Sequence, residues 1–184
     1  MEFVRHWGST AAERAERYPC DELLADPDVV LYRAVDVGAP GEVVFRWLCQ
    51  LRVAPYSYDW IDNWGRQSPR ELGEGLGRLA PGQRVMRIFR LESFERDRHL
   101  TLRLDDPWGL RLFGELAGTY RVTSRGSGSR VVVKLLLRRP RGAFRLLAPL
   151  LPFGDWIMMR KQLLQLKALA ERTVHEGRAA ASPA

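Results

Sequence analysis

Residues 156–176, WIMMRKQLLQLKALAERTVHE, carry the pattern that decides the fold. Trp156, Met159, Leu163, Leu166 and Ala170 recur at alternating steps of three and four. That spacing predicts a long helix with one apolar stripe, and Arg160, Lys167 and Arg172 fall off the stripe. Lys167 and Glu171 add a pair one turn apart. Asp155 stands where an N-cap belongs, so the helix is expected from Trp156 to about Glu176. The apolar segment before it, Gly142–Leu151, is broken by Pro149 and followed by Pro152.

A helix with one stripe must lay it on a partner, and reading backwards the period changes to two. RVVVKLLLRR, residues 130–139, places Val131, Val133, Leu135 and Leu137 on one strand face. RGSGS, residues 125–129, reads as a flexible hairpin loop. Before it, Leu112, Leu116, Tyr120 and Val122 line a face of another strand, with Gly114 and Gly118 permitting a bend. Leu100, Leu102 and Leu104 alternate with Thr101, Arg103 and Asp105. Arg84–Phe94 reads as a near-continuous apolar strand after a Pro81–Gly82 turn. The short connections make these strands antiparallel neighbours in order. Arg33, Glu115 and Lys134 interrupt apolar strands, and alternation makes an outward face the default for each. A charge that turned inward would have to be paired, or would mark the polar anchor of a cavity.

Farther back, Val29–Val37 is a strand rich in β-branched residues. Pro40 and Glu42 suit the first turn of a helix whose Val44, Trp47, Leu48 and Leu51 share a face. APYSYDWIDNWGR, residues 54–66, predicts a second short helix opened by Pro55 and closed by Gly65. On it Tyr56, Trp60 and Trp64 fall on one stripe, and Asp62 can pair with Arg66. The first 28 residues read as an arm, with Trp7 pinning it to the body. Its Thr10–Glu13 capping box opens a helix over Ala11–Arg17, stopped before Pro19. The expected organisation is an arm at 1–28, one domain at 29–176 and a disordered tail at 177–184.

The composition, 46% hydrophobic and 28% charged, is that of a soluble globule with a single core. The net charge of +7 is carried by arginines scattered among acids, and no nucleic-acid module is present, so no nucleic-acid partner is expected. The densest basic group leads into RRPRGAFRLLAPLLPF, residues 138–153. Such a segment suits an anionic membrane surface, but the favoured reading is a buried lead-in to the last helix. Cys20 and Cys49 form no CxxC and have no histidine near them in sequence. They read as reduced, buried thiols, and neither a metal nor a cofactor is expected. GEGLG, residues 73–77, neither follows a strand nor opens a convincing helix, so it is not a phosphate loop. No leader and no membrane span are read, which makes the expected location cytoplasmic.

The order of elements is a strand, two short helices, a run of antiparallel strands and one long helix. This predicts an α+β fold in which a curved antiparallel sheet wraps around the C-terminal helix, with a cavity between them. Several stretches carry a resemblance: Trp7–Thr10, Val35–Pro40 and the VVFRWLCQL that follows, YSYDWIDN at 56–63, and LAPGQRV at 79–85. Together they resemble the SRPBCC superfamily, START-like proteins with the helix-grip fold. The resemblance implies a bulky apolar ligand; members bind lipids, sterols and polyketides, and some are cyclases.

The cavity candidates are Tyr56, Tyr58, Trp60, Trp64, Phe89, Leu102, Phe113, Tyr120, Trp156, Met159 and Leu163. Binding of a small hydrophobic molecule is the first expectation. A polyketide cyclase/dehydratase-type enzyme is the second, with Tyr58, Asp59 and Arg103 as its catalytic candidates. A peripheral membrane or partner-binding module is the third. Asp59 and Asp62 lie close enough on a helix to split their pKa values, although the Arg66 pair and the helix N-terminus account for both. His99 is expected in a solvated turn. No HExxH or GxSxG pattern marks a hydrolase.

Overall fold

A computed structural model describes residues 2–57 and 67–181. Six strands form one antiparallel sheet in the order β1-β6-β5-β4-β3-β2. They are β1 (Val29–Val37), β2 (Arg84–Val85), β3 (Phe89–Glu95), β4 (His99–Leu104), β5 (Glu115–Arg125) and β6 (Gly128–Arg138). The first strand therefore pairs with the last, Val29 opposite Leu137 and Val37 opposite Ser129. The described helices are α1 (Glu2–Arg5), α2 (Ala11–Ala15), α3 (Gly41–Cys49), α4 (Pro107–Phe113) and α5 (Leu151–Ala181).

The concave face of the sheet meets α3 and α5. Leu31, Val133, Leu135, Tyr120, Leu100, Leu102 and Leu91 point there, against Met159, Leu163, Leu166 and Ala170 of α5. The expected stripe on the last helix is thus the buried one, except at Trp156, which is only half buried and lies outside that core.

The convex face is not wet. Tyr18, Cys20 and Leu24 of the N-terminal arm pack on Tyr32, Ala34, Ala117, Val132 and Leu136. The arm is tied down by polar contacts as well. Thr10 and Glu13 form the expected capping box, although α2 ends at Ala15, sooner than Arg17. Glu13 then reaches Arg130 of β6 at 2.8 Å, and Arg130 also donates to the Gly8 carbonyl at 2.6 Å. The Trp7 carbonyl accepts from the Ala34 amide at 2.9 Å, so the arm covers the outer edge of β1. Gly8, at φ 74°, lies so near β1 that a Cβ there would stand 2.1 Å from the Ala34 oxygen.

Four expectations are corrected. The Arg84–Phe94 strand is interrupted: Met86 and Arg87 take positive φ values of 46° and 66° and separate β2 from β3. Leu112 belongs to a helix, because Asp106 caps the Gly109 amide at 2.7 Å and Pro107 supplies the first helical φ. Pro55 opens no helix at Tyr56, whose φ is 55°; the rest of that predicted helix lies outside the described residues. Asp155 is no N-cap, since α5 already starts at Leu151 and runs on past Glu176 to Ala181. Pro152 falls in its first turn, where a missing amide costs nothing.

Candidate functional site

The candidate site is the buried core between the concave face and the first half of α5; a cleft of about 260 Å³ lies elsewhere, lined by Val4, Val29, Ala148 and Pro152 among others. Two polar groups are brought into it by strand and helix periodicity. Tyr120 follows Leu116 and precedes Val122 on the inward face of β5, so its ring points at α5. Gln162 stands between Met159 and Leu166 on the buried side of α5. The Tyr120 hydroxyl donates to Gln162 Oε1 at 2.7 Å, and Gln162 Nε2 donates to the Pro55 carbonyl at 2.6 Å. The sulfur of Met159 lies 3.6 Å from the tyrosine hydroxyl and that of Met86 3.4 Å from the glutamine nitrogen. Burial, and then the charge of Asp155, push the Tyr120 phenol well above the ordinary tyrosine range, so it is a neutral donor.

The second polar feature is an ion pair. Arg33 stands two residues from both Leu31 and Val35, so it shares the inward face of β1, where it is fully buried. Its Nη2 donates to Asp155 at 2.6 Å, and its Nη1 to the carbonyls of Arg5 and Tyr32 at 3.0 and 2.8 Å. Burial raises the Asp155 carboxyl from 3.8 to about 6 against the pull of Arg33. Arg33 Nε has no hydrogen-bond partner among the described residues. The outward default is therefore corrected for Arg33. Lys134 does take the convex face, but it is not solvated: it meets Asp21 at 2.6 Å and lies over the rings of Tyr18 and Tyr32. Glu115 is half buried and pairs with Arg138 at 3.2 Å.

No protein-family model matches the chain, and no curated protein matches it. Solved structures do. A hypothetical protein from Helicobacter pylori superposes with a TM-score of 0.53 at 16% identity, over 85% of this chain and 96% of that one. The ZhuI aromatase/cyclase of a Streptomyces species superposes with a TM-score of 0.52 at 17% identity, over 79% of this chain and 94% of that one. The likeness shows the fold: the chain has the helix-grip fold, a curved antiparallel sheet around a long C-terminal helix.

Within that helix-grip fold, Tyr56, Phe89, Leu102, Tyr120, Met159 and Leu163 all belong to the core between sheet and α5. Tyr56 is buried and meets Trp47 edge-on at 6.1 Å. Two candidates do not join them. Trp156 turns to Phe3 and Phe153, at 5.8 and 5.7 Å, beyond the end of the core. Phe113 is the last residue of α4, half buried and outside that core. Arg103, a catalytic candidate, pairs with Ala117 on the convex side of β4 and faces away from the site. Tyr58, Asp59, Trp60, Asp62 and Trp64 lie outside the described residues.

His99 is not a solvated turn residue; it opens β4 half buried, and burial lowers its pKa although Glu95 lies at 3.9 Å. Cys20 and Cys49 are buried and unbonded, with burial raising both thiols, Cys49 to about 11. Among the described residues no His, Cys, Asp or Glu group comes together to hold a metal, and no helix is long and apolar enough to cross a membrane.

Sequence reasoning passed over Gln162 and Asp155 as site residues. A signal existed: Asp155, Met159, Gln162 and Leu166 are four, three and four apart, so two polar residues sit beside the apolar stripe.

Proposed function

We propose that the space between sheet and α5 receives a small, mostly apolar molecule. One observation carries the reading: the Tyr120–Gln162 pair is buried in a core otherwise made of aliphatic, aromatic and Met side chains. Ligand sites have that character, a largely apolar lining with a few polar groups that orient the guest. Met86 and Met159 flank the pair, and unbranched thioethers repack around guests of irregular shape. Tyr56, Tyr58, Trp60 and Trp64 are assigned to the wall that closes the space, with Phe89, Leu102 and Leu163 beneath the guest. A carbonyl or hydroxyl on the ligand takes the place of one partner in the Tyr120–Gln162 bond. A lipid, a sterol-like molecule or an aromatic polyketide meets these requirements, and the reading needs neither a cofactor nor a nucleic acid.

Thermal shift across fatty acids, sterols and aromatic polyketides tests it. A ligand at 100 times its Kd should stabilise the protein by about 2.7 kcal/mol. Tyr120→Phe should weaken a ligand with a polar head about tenfold and leave a pure hydrocarbon unaffected. No stabilisation by any of the three classes overturns the reading.

A second reading, a cyclase/dehydratase-type enzyme using the same space, is favoured by Asp155. A buried carboxyl titrating at about 6 is suited to proton transfer near neutral pH. On that reading Asp155→Asn abolishes turnover of a poly-β-ketone while ligand-induced stabilisation persists. Unchanged turnover in Asp155→Asn removes it.

A further inference from the structure

The lead-in to α5 turns its apolar side to solvent. The 3-10 helix Gly142–Leu150 and the first turn of α5 expose Arg145, Leu146, Pro149, Leu150, Phe153 and Gly154. Their one-then-three spacing makes a continuous stripe. Leu146 is 84% exposed, Leu150 64% and Phe153 52%. This overturns the buried lead-in expected from sequence. Two more large apolar groups border the stripe. Phe3, 64% exposed, meets Trp156 edge-on, and Trp156 meets Phe153. Trp108, 65% exposed, leans on Phe144 at 6.4 Å. A soluble monomer seldom leaves so many large apolar side chains together in water.

The chain segment that carries the stripe is one-sided in charge. From Leu116 to Gly154 the chain has no Asp or Glu and eight Arg or Lys residues. Arg139, Arg141 and Arg145 are exposed beside the stripe. Arg139 and Arg145 also rim a cleft of about 260 Å³, whose other walls include Val4, Val29, Ala148 and Pro152. The acids that border this end already have partners: Glu2 lies 3.1 Å from His6, Asp28 accepts from the Arg139 amide at 2.8 Å, Glu115 pairs with Arg138 at 3.2 Å, and Asp155 is engaged by Arg33.

We propose that this face docks the protein on an anionic phospholipid bilayer. Leu146, Leu150, Phe153 and Phe3 enter the acyl boundary, Trp108 lies at headgroup depth, and Arg139, Arg141 and Arg145 meet the phosphates. Apolar side chains projecting between arginines are what an interfacial segment needs. A two-fold dimer through this face fits less well, because it would bring the arginines of both copies together while the bordering acids Asp28 and Glu115 are already engaged. The inference stands on the surface alone and not on the ligand site.

Sedimentation of the full chain with vesicles of phosphatidylcholine, alone or with phosphatidylglycerol, tests it. Binding is expected to the anionic vesicles at low salt, and to fall about tenfold or more in about 0.5 M salt. Leu146→Asp with Leu150→Asp should lose binding about tenfold at unchanged Tm, since both side chains are in water in the free protein. Arg139→Gln, Arg141→Gln and Arg145→Gln together should abolish the preference for anionic vesicles. Tyr120→Phe should leave vesicle binding unchanged, which separates this result from the ligand test. The proposal is overturned if the wild type fails to sediment with anionic vesicles. It is equally overturned if neither variant set changes binding, or if the wild type is a dimer in solution that the aspartates dissociate.

Discussion

Arg33 and Asp155 are a charged pair taken out of water at the end of the core. Burial of both ions is unfavourable, and their attraction offsets only part of it, as the raised Asp155 carboxyl records. The folded chain holds this proton up to about pH 6, whereas an unfolded aspartate releases it near 3.8. Between those values the native state carries more protons than the unfolded one, so stability falls as pH rises through the window. Urea melts of the wild type and Asp155→Asn from pH 3.5 to 7 should therefore differ in slope, with the variant lacking this decline. Parallel profiles would mean that Asp155 is ionised throughout. Removing only the carboxylate, in Asp155→Leu, leaves Arg33 uncompensated and should cost roughly 3–5 kcal/mol, whereas adding Arg33→Met should recover most of it. The inward turn of Arg33 is not read from sequence, where an outward face is the default for a strand charge, although Arg33 shares the parity of Leu31 and Val35. What was not legible is which face carries the pair's partner, because Asp155 is more than a hundred residues away and looks locally like a cap.

At the scale of elements, the N-terminal arm is a second layer rather than an appendage. It buries Tyr18, Cys20 and Leu24 on the convex side, and Glu13 binds it to β6 through Arg130. Burial alone would raise the Glu13 carboxyl, but hydrogen bonds from Arg130 and Thr10 prevail and hold it down to about 2. That stabilisation is complete above the ordinary value of 4.5 and is lost as pH falls towards 2. Glu13→Gln should thus cost roughly 3 kcal/mol at neutral pH in a denaturant melt, with the deficit vanishing in strong acid. A deficit that persists below pH 2 would locate the effect in packing instead. The capping box of this arm and the stripes of α5 and β6 were plain in sequence, since each is a local pattern. The helix α4 was not: seven residues hold too few turns to separate a helical period from a strand period, and the informative residues are its cap, Asp106 and Pro107. The break between β2 and β3 was hidden because left-handed Met86 and Arg87 are not residues that advertise a positive φ.

For the whole molecule, the order of elements sufficed for the fold, since a run of antiparallel strands and one long striped helix have few ways to bury both. The cavity candidates divide along the same line. Leu102, Tyr120 and Leu163 reach the core, whereas Trp156, in the second turn of α5 beyond the end of the core, and Phe113, the last residue of α4, do not. Periodicity fixes a side chain's direction within an element, but not where along the element the partner layer stops.

The pairing of β1 with β6 has a consequence for synthesis. Val29 must wait for Leu137, so the first strand leaves the ribosome long before its only neighbour in the sheet exists. Contacts so distant in sequence make closure of the sheet a late event, and refolding is expected in milliseconds to seconds rather than microseconds. Stopped-flow tryptophan fluorescence would time it. Until β6 arrives, β1 lacks its partner strand in the growing chain, and the shield already made is the arm, with the Trp7–Gly8 backbone along its outer side and Tyr18 over Tyr32.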